Sequence, residues 1–167
     1  MHVNRPPTLP ASGGADGRLY LREAELDLGA ELLRAAARRL IRRARNAAGA
    51  KDLLDAELDI VIELLNAEGI DVSEMRARLD APKQSLARNL KSLENKGFIA
   101  RRPCPKDGRR RLLSLTEIGR DLASRAAAGW REALLDAYKA AGPESVAGAR
   151  SLLQAIAADE NSAQGGA

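Results

Sequence analysis

The chain has 167 residues, 45% hydrophobic but only 2% aromatic, so Ala, Leu and Ile must build its core, a composition that favours packed helices over a sheet sandwich. Its single cysteine, Cys104, and single histidine, His2, exclude an intrachain disulfide, a structural zinc site and histidine acid–base catalysis. With no apolar run near the ~18 residues of a membrane span and no secretory leader, a soluble cytoplasmic protein without metal, cofactor or membrane partner is expected.

The net charge of +4 is unevenly placed. Residues 73–111 carry twelve Lys/Arg against four Asp/Glu, whereas each flank is −2. A basic middle between acidic flanks is the electrostatic footprint of a nucleic-acid contact surface. Charge alone does not choose between DNA, RNA and anionic lipid.

Residues 1–17, rich in proline and glycine, read as a disordered arm. A long helix is predicted from about Leu19 to Ala48, with Leu21, Leu28, Leu32, Ala36 and Leu40 at helical spacing. Its arginine-crowded second half, Arg34 to Arg45, is either a solvated face complementing the helix dipole or a secondary phosphate contact. Asp55 is the expected cap of a second helix, Ala56 to Ala67, with Leu58, Val61, Ile62 and Leu65 facing inward and Gly69 as stop. A brief helix follows through Leu79 with Ser73 as N-cap, then a tight break at Asp80-Ala81-Pro82. A third amphipathic helix, Lys83 to Lys96, ends at Gly97, which suits a left-handed position.

From Phe98 the pattern turns to strand: FIARRP, the turn CPKDG, and the returning RRRLLSL. Asp107-Gly108 is a hairpin signal. Thr116 caps a long helix from Glu117 to about Ala140, and Gly142-Pro143 breaks it. A last helix reaches Ala158, and the tail from residue 159 reads as disordered. The fold class is mainly α with a small β-hairpin wing.

Two short helices joined by a tight turn and followed by a hairpin make a winged helix-turn-helix. In the second of these helices Leu86, Leu90 and Leu93 must face the core. The opposite face carries Gln84, Arg88, Lys91, Ser92 and Asn95, with Ser85 on its flank. Arginine can bond guanine in bidentate fashion and glutamine can do so with adenine, so this face suits a major groove. An ordinary solvated face is the plainer reading, which the basic hairpin beside it overturns. The hairpin adds Arg101, Arg102, Lys106, Arg109, Arg110 and Arg111, cations that give affinity through phosphates with little sequence information. Pro103 and Pro105 stiffen its tip. Ser73 completes the candidate DNA contacts. The strands lack aromatics, which argues against base-stacking RNA modules.

The stretch LDAPKQSLARNLKSLENKGFIARRPCPKDGRRRLLSLTEIG resembles the MarR (multiple antibiotic resistance regulator) family. Leu79, Leu86, Leu90, Leu93-Glu94, Gly97-Phe98-Ile99, Arg102, Asp107-Gly108-Arg109 and Leu115-Thr116-x-x-Gly119 carry the likeness. Helix order extends it over about Leu19 to Ala158, as a single domain at 18–158. The resemblance implies a DNA-binding lobe at about 55–116 and dimerisation helices at 19–48 and 117–158. It implies a homodimer whose recognition helices each enter a major groove, with Lys83, Gln84, Ser85 and Arg88 reading bases. Asp107 would brace the wing by an ion pair while Arg109 or Arg110 reaches DNA. Leu26, Leu28, Trp130, Leu134, Tyr138, Leu152, Leu153 and Ile156 would build the dimer interface, although an intrachain core needs the same residues. A pocket for a small-molecule effector is implied between the dimerisation helices and the DNA lobe.

Pro82 departs from the family, standing where a Ser, Thr or Asn cap is usual. Either the first turn lacks a side-chain acceptor, or Pro82 is the first helical residue and Ala81 a poor cap. Cys104 in the wing is either inert or a thiol switch on DNA affinity. The expected function is a dimeric transcriptional regulator on a pseudo-palindromic operator in double-stranded DNA. The rival is a winged-helix module docking an acidic protein partner. No catalytic constellation supports an enzyme.

Overall fold

The computed structural model describes residues 22–105, 107 and 110–162. The expected arm at 1–17, the start of the first helix at Leu19–Leu21, the wing residues Lys106, Gly108 and Arg109, and the tail residues 163–167 lie outside the described residues. The chain divides into two compact units, 1–35 and 36–167, and α1, Glu23–Ala48, runs through the boundary.

In the first unit α1 opens with Glu23 and Glu25, acids that suit the positive end of the helix dipole. The Arg22 backbone N–H donates to Glu25 Oε2 at 3.0 Å. Leu26, Leu28, Leu32 and Leu33 are exposed.

The second unit is organised around α2, Asp55–Asn66, which packs against α4, α5 and the wing. Leu58, Ile60, Val61, Ile62 and Leu64 are buried, so α2 is apolar almost all round, as a helix at the centre of a core must be. Leu65, expected inside, is partly buried. Asp55 does not cap this helix. Leu54 is the N-cap, and its backbone N–H donates to Glu57 Oε2 at 2.9 Å. Asp55, the first helical residue, ion-pairs with Arg45 instead.

The remaining elements are α3 (Val72–Arg78), α4 (Lys83–Asn95), β1 (Ile99–Pro103), β2 (Arg111–Leu115), α5 (Glu117–Ala141) and α6 (Pro143–Ser162). The turn between α3 and α4 is made by Asp80, whose φ of +42° is left-handed, a conformation Asp tolerates better than most residues. β1 and β2 pair antiparallel from Ile99 opposite Leu115 to Pro103 opposite Arg111. The far edge of β2 is also paired. Leu113 N–H donates to Ile70 O at 2.8 Å and receives at its own oxygen from Gly69 N–H at 3.0 Å. The segment before α3 thus covers an edge that sequence reasoning left open.

Gly119 explains the junction of wing and α5. A side chain there would lie well inside contact with the Phe98 carbonyl oxygen, so only glycine lets the first turn of α5 rest on the backbone that leads into β1. Thr116 locks it, accepting from Gly119 N–H at 3.1 Å and donating to Gly97 O at 2.6 Å. Further along α5, Gly129 meets the end of α1, where an added Cβ would stand 2.7 Å from Ala47 Cβ and 2.8 Å from Arg43 O.

Two sequence expectations change here. The N-cap of α3 is Asp71, which accepts from Glu74 N–H at 2.9 Å; Ser73 is an exposed residue inside the helix. And α6 continues to Ser162, into the stretch read as a tail, because Asp159 to Ser162 holds no glycine or proline to end a helix.

Candidate nucleic-acid interface

The recognition helix α4 is seated by its leucines. Leu86, Leu90 and Leu93 are each at most 2% exposed, which at ~2 kcal/mol per buried aliphatic side chain fixes the helix against α2. Its outer face then follows from the 3.6-residue repeat. Lys83, Gln84, Arg88, Lys91 and Asn95 are exposed. Ser85 is half-buried on the flank towards α2.

Ser92 does not belong to the outward face. Its hydroxyl hydrogen-bonds the carboxylate of Glu57 on α2, because it lies on the same side of α4 as Ser85 and the buried Asn89. Glu57 is 1% exposed and forms an ion pair with Lys96 at 2.8 Å. Burial pushes the Glu57 pKa up, but hydrogen bonds from Lys96, Ser92 and the Leu54 N–H, with the Lys96 charge, outweigh it and leave the pKa lowered. The far end of α4 is thereby pinned. Its first turn is not: Pro82 is the N-cap, with φ −58° and ψ 134°, and gives no side-chain hydrogen bond. The version with Pro82 as the first helical residue is excluded.

Two wing cations are structural. Arg101 pairs with Glu94 at 2.7 Å. Arg110, expected to reach DNA, turns to Asp71, with its Nε 2.9 Å from Oδ2. Asp71 also caps α3, so one carboxylate ties the hairpin to the helix-turn-helix. The hydrogen bonds at Asp71 and its partner Arg110 hold its pKa low, and Arg110 is kept charged by Asp71 and, more weakly, by Asp107. Asp107 lies at the turn, where its carbonyl accepts from Arg110 N–H at 3.0 Å. Asp71 therefore also braces the wing, a role that sequence reasoning missed. The Asp71-x-x-Glu74 spacing of a helix start was the available signal.

What remains outward is a set of unpaired cations. Among the described residues Lys83, Arg88 and Lys91 on α4 and Arg102 on β1 have no carboxylate partner, whereas Arg45, Arg78, Lys96, Arg101, Arg110, Arg120 and Arg125 do. Lys106 and Arg109 lie outside the described residues. Cys104 is half-buried.

Most of the residues expected at a dimer interface are exposed within this chain. Leu26, Leu28, Leu134, Leu153 and Ile156 are exposed, and Leu152 is 55% exposed. Trp130 and Tyr138 are half-buried, and Trp130 packs against the core with Nε1 buried and without an acceptor among the described residues. A cavity of about 410 Å³ opens between the end of α1 and α5, lined by Leu40, Arg43, Leu134 and Ala137 among others. No described helix is long and apolar enough to cross a membrane.

Residues 51–110 match the model of the MarR family. The HTH-type transcriptional regulator PetP of Rhodobacter capsulatus is 38% identical over 96 residues, 57% of this chain and 58% of that protein. The uncharacterized HTH-type transcriptional regulator YdgJ of Bacillus subtilis is 33% identical over 66 residues, 40% of each chain. The chain therefore spans about half the length of these relatives. Among solved structures, the transcriptional repressor CouR bound to a 23-mer DNA duplex superposes with a TM-score of 0.63 at 25% identity, covering 83% of this chain and 99% of that one. The segment at 51–110 thus resembles the MarR family and is set in a winged fold shared with that repressor.

Proposed function

We propose that the chain is a transcriptional regulator that binds an operator in double-stranded DNA as a homodimer and carries out no enzymatic step. The observation that carries this reading is the row of unpaired cations on α4, backed by buried leucines and flanked by a wing in which Arg101 and Arg110 are tied down. Such a helix is presented rigidly, with long donors free to meet base edges. Lys83, Gln84 and Arg88 are the proposed base readers. Lys91 and Arg102 are the proposed phosphate contacts, and Arg110 positions the wing. The apolar residues of α5 and α6 supply the second copy's docking face, dividing the chain into a DNA lobe and dimerisation helices. The naming of PetP and the DNA-bound state of CouR support the same reading, as does a basic lobe suited to DNA in the cytoplasm.

Selection of genomic fragments bound by the purified protein tests it. Half-sites related by a two-fold axis and spaced about one helical turn apart are expected. Arg88→Ala relaxes preference at one base pair, while Arg102→Ala weakens all duplexes alike and lowers the salt slope by about one. If both variants bind every duplex as the wild type does, the reading face is misassigned.

A further inference from the structure

One part of the basic lobe is acidic. A crevice of about 210 Å³ lies between α2 and the turn leading into α4. Its walls carry two carboxylates, Asp59 and Asp80, and no cation. The rest of its lining is largely apolar, with Ile60, Leu79 and Leu86 among the wall residues. Asn89 also lines it, although that residue is only 6% exposed. Among the described residues neither Asp59 nor Asn89 has a hydrogen-bond partner.

Those facts are costly for a fold left to itself. An amide on a residue only 6% exposed, without a protein partner, keeps little of its contact with water, and a half-buried carboxylate without a cation is costlier. Burial alone pushes the Asp59 pKa up, with nothing to offset it. Elsewhere in the lobe such groups are satisfied, as Glu57 is by Lys96, Ser92 and the Leu54 N–H. Two unpartnered polar side chains, Asp59 and Asn89, thus share one crevice, which is the pattern of a binding site.

We propose that this crevice binds a small organic cation, its protonated nitrogen on Asp59, a second donor on Asn89 and its apolar body against Ile60 and Leu86. The volume sets the size, since it is smaller than the ~300 Å³ of drug-sized pockets yet holds far more than a single water at ~30 Å³. The sign of the charge follows from the two carboxylates. This site is distinct from the pocket that the family resemblance implies, because it lies inside the helix-turn-helix. It does not depend on the DNA reading. An occupant sits behind Pro82 and Ser85 and so props the one turn of α4 that lacks a cap.

Benzamidine, with neutral benzamide as its control, tests the proposal on the full chain by amide-detected NMR titration. Benzamidine is expected to shift resonances of 56–60 and 79–89 and to bind at least about tenfold more tightly than benzamide, as a charge-assisted pair requires. Asp59→Asn, which keeps the shape of the side chain, is expected to remove that preference while the protein stays folded. Ala56→Met, which fills the crevice without touching a charge, is expected to weaken both probes. Shifts centred elsewhere, equal binding of the two probes, or undiminished benzamidine binding to Asp59→Asn would overturn it.

Discussion

Helices α4 and α6 use the same kind of side chain to different ends. In α4 the leucines at 86, 90 and 93 are closed off by α2 and by the wing, whereas Leu152, Leu153 and Ile156 of α6 stand about half exposed. Spacing does not separate the two cases, because both sets recur at helical intervals. The difference is in what lies opposite: α4 faces an apolar helix of its own chain, and the described part of α6 packs only one side against α5. The helix-turn-helix lobe is a finished core, whereas the leucines and isoleucine of α6 are left uncovered within the described residues.

Leu90→Ala should break that comparison most severely. Leu90 is fully buried, and truncating such a leucine costs about 2–5 kcal/mol through lost transfer energy and the cavity left behind. Denaturant unfolding should show the loss at every protein concentration. Ile156→Glu should act differently, lowering the sedimenting mass and removing the concentration dependence of the melting temperature that a folded dimer shows. A concentration-independent wild type that sediments as a monomer would remove the dimer from the proposed function.

Lys96→Met sharpens the comparison within the lobe, since it leaves the leucines alone and removes the cation from Glu57. The carboxylate is buried but Lys96 is about one-third exposed, so water replaces part of the lost pair and the cost should be about 1–3 kcal/mol. The pH dependence carries the sign. A carboxylate with a lowered folded pKa contributes stability at neutral pH that is lost as pH falls through that folded value. Wild type should therefore lose stability below the ordinary glutamate value of 4.5 more steeply than Glu57→Gln does. Equal slopes in acid denaturation would mean that the pair is not formed.

The helix order, the wing and the seating leucines of α4 were legible because each rests on local pattern: a 3.6-residue repeat, a turn dipeptide, a capping threonine. The exposed faces of Lys83, Gln84 and Arg88 followed from the same repeat. Pairings between distant segments were not legible. Nothing near Arg110 in sequence announces that it will meet Asp71, and nothing near Ser92 announces Glu57, so both were placed among the free DNA contacts. The bridging of Gly69–Asp71 to β2 was hidden because the segment is too short to show an alternation. Gly119 was read as part of a motif, and only the packing of α5 on the Phe98 carbonyl gives it a physical reason.

The smallest expected effect concerns how the helices begin. Asp71 and Thr116 each cap a helix with a side-chain acceptor, and α2 recruits Glu57, but Pro82 offers α4 nothing. Pro82→Ser restores an acceptor, a gain of about 1 kcal/mol in a typical helix. Against it stands the proline's restriction of the unfolded chain, worth about 0.4–1 kcal/mol where φ is compatible, and the −58° at Pro82 is compatible. The two nearly cancel, so the unfolding midpoint should move by less than about 0.5 kcal/mol-equivalent. Amide exchange in the first turn of α4 should nonetheless slow, because the acceptor acts on those N–H groups in the folded state while the proline acts mainly on the unfolded one. Unchanged exchange with an unchanged midpoint would mean that the serine hydroxyl does not reach the turn, and that Pro82 is a spacer whose geometry, not its missing acceptor, sets the start of the recognition helix.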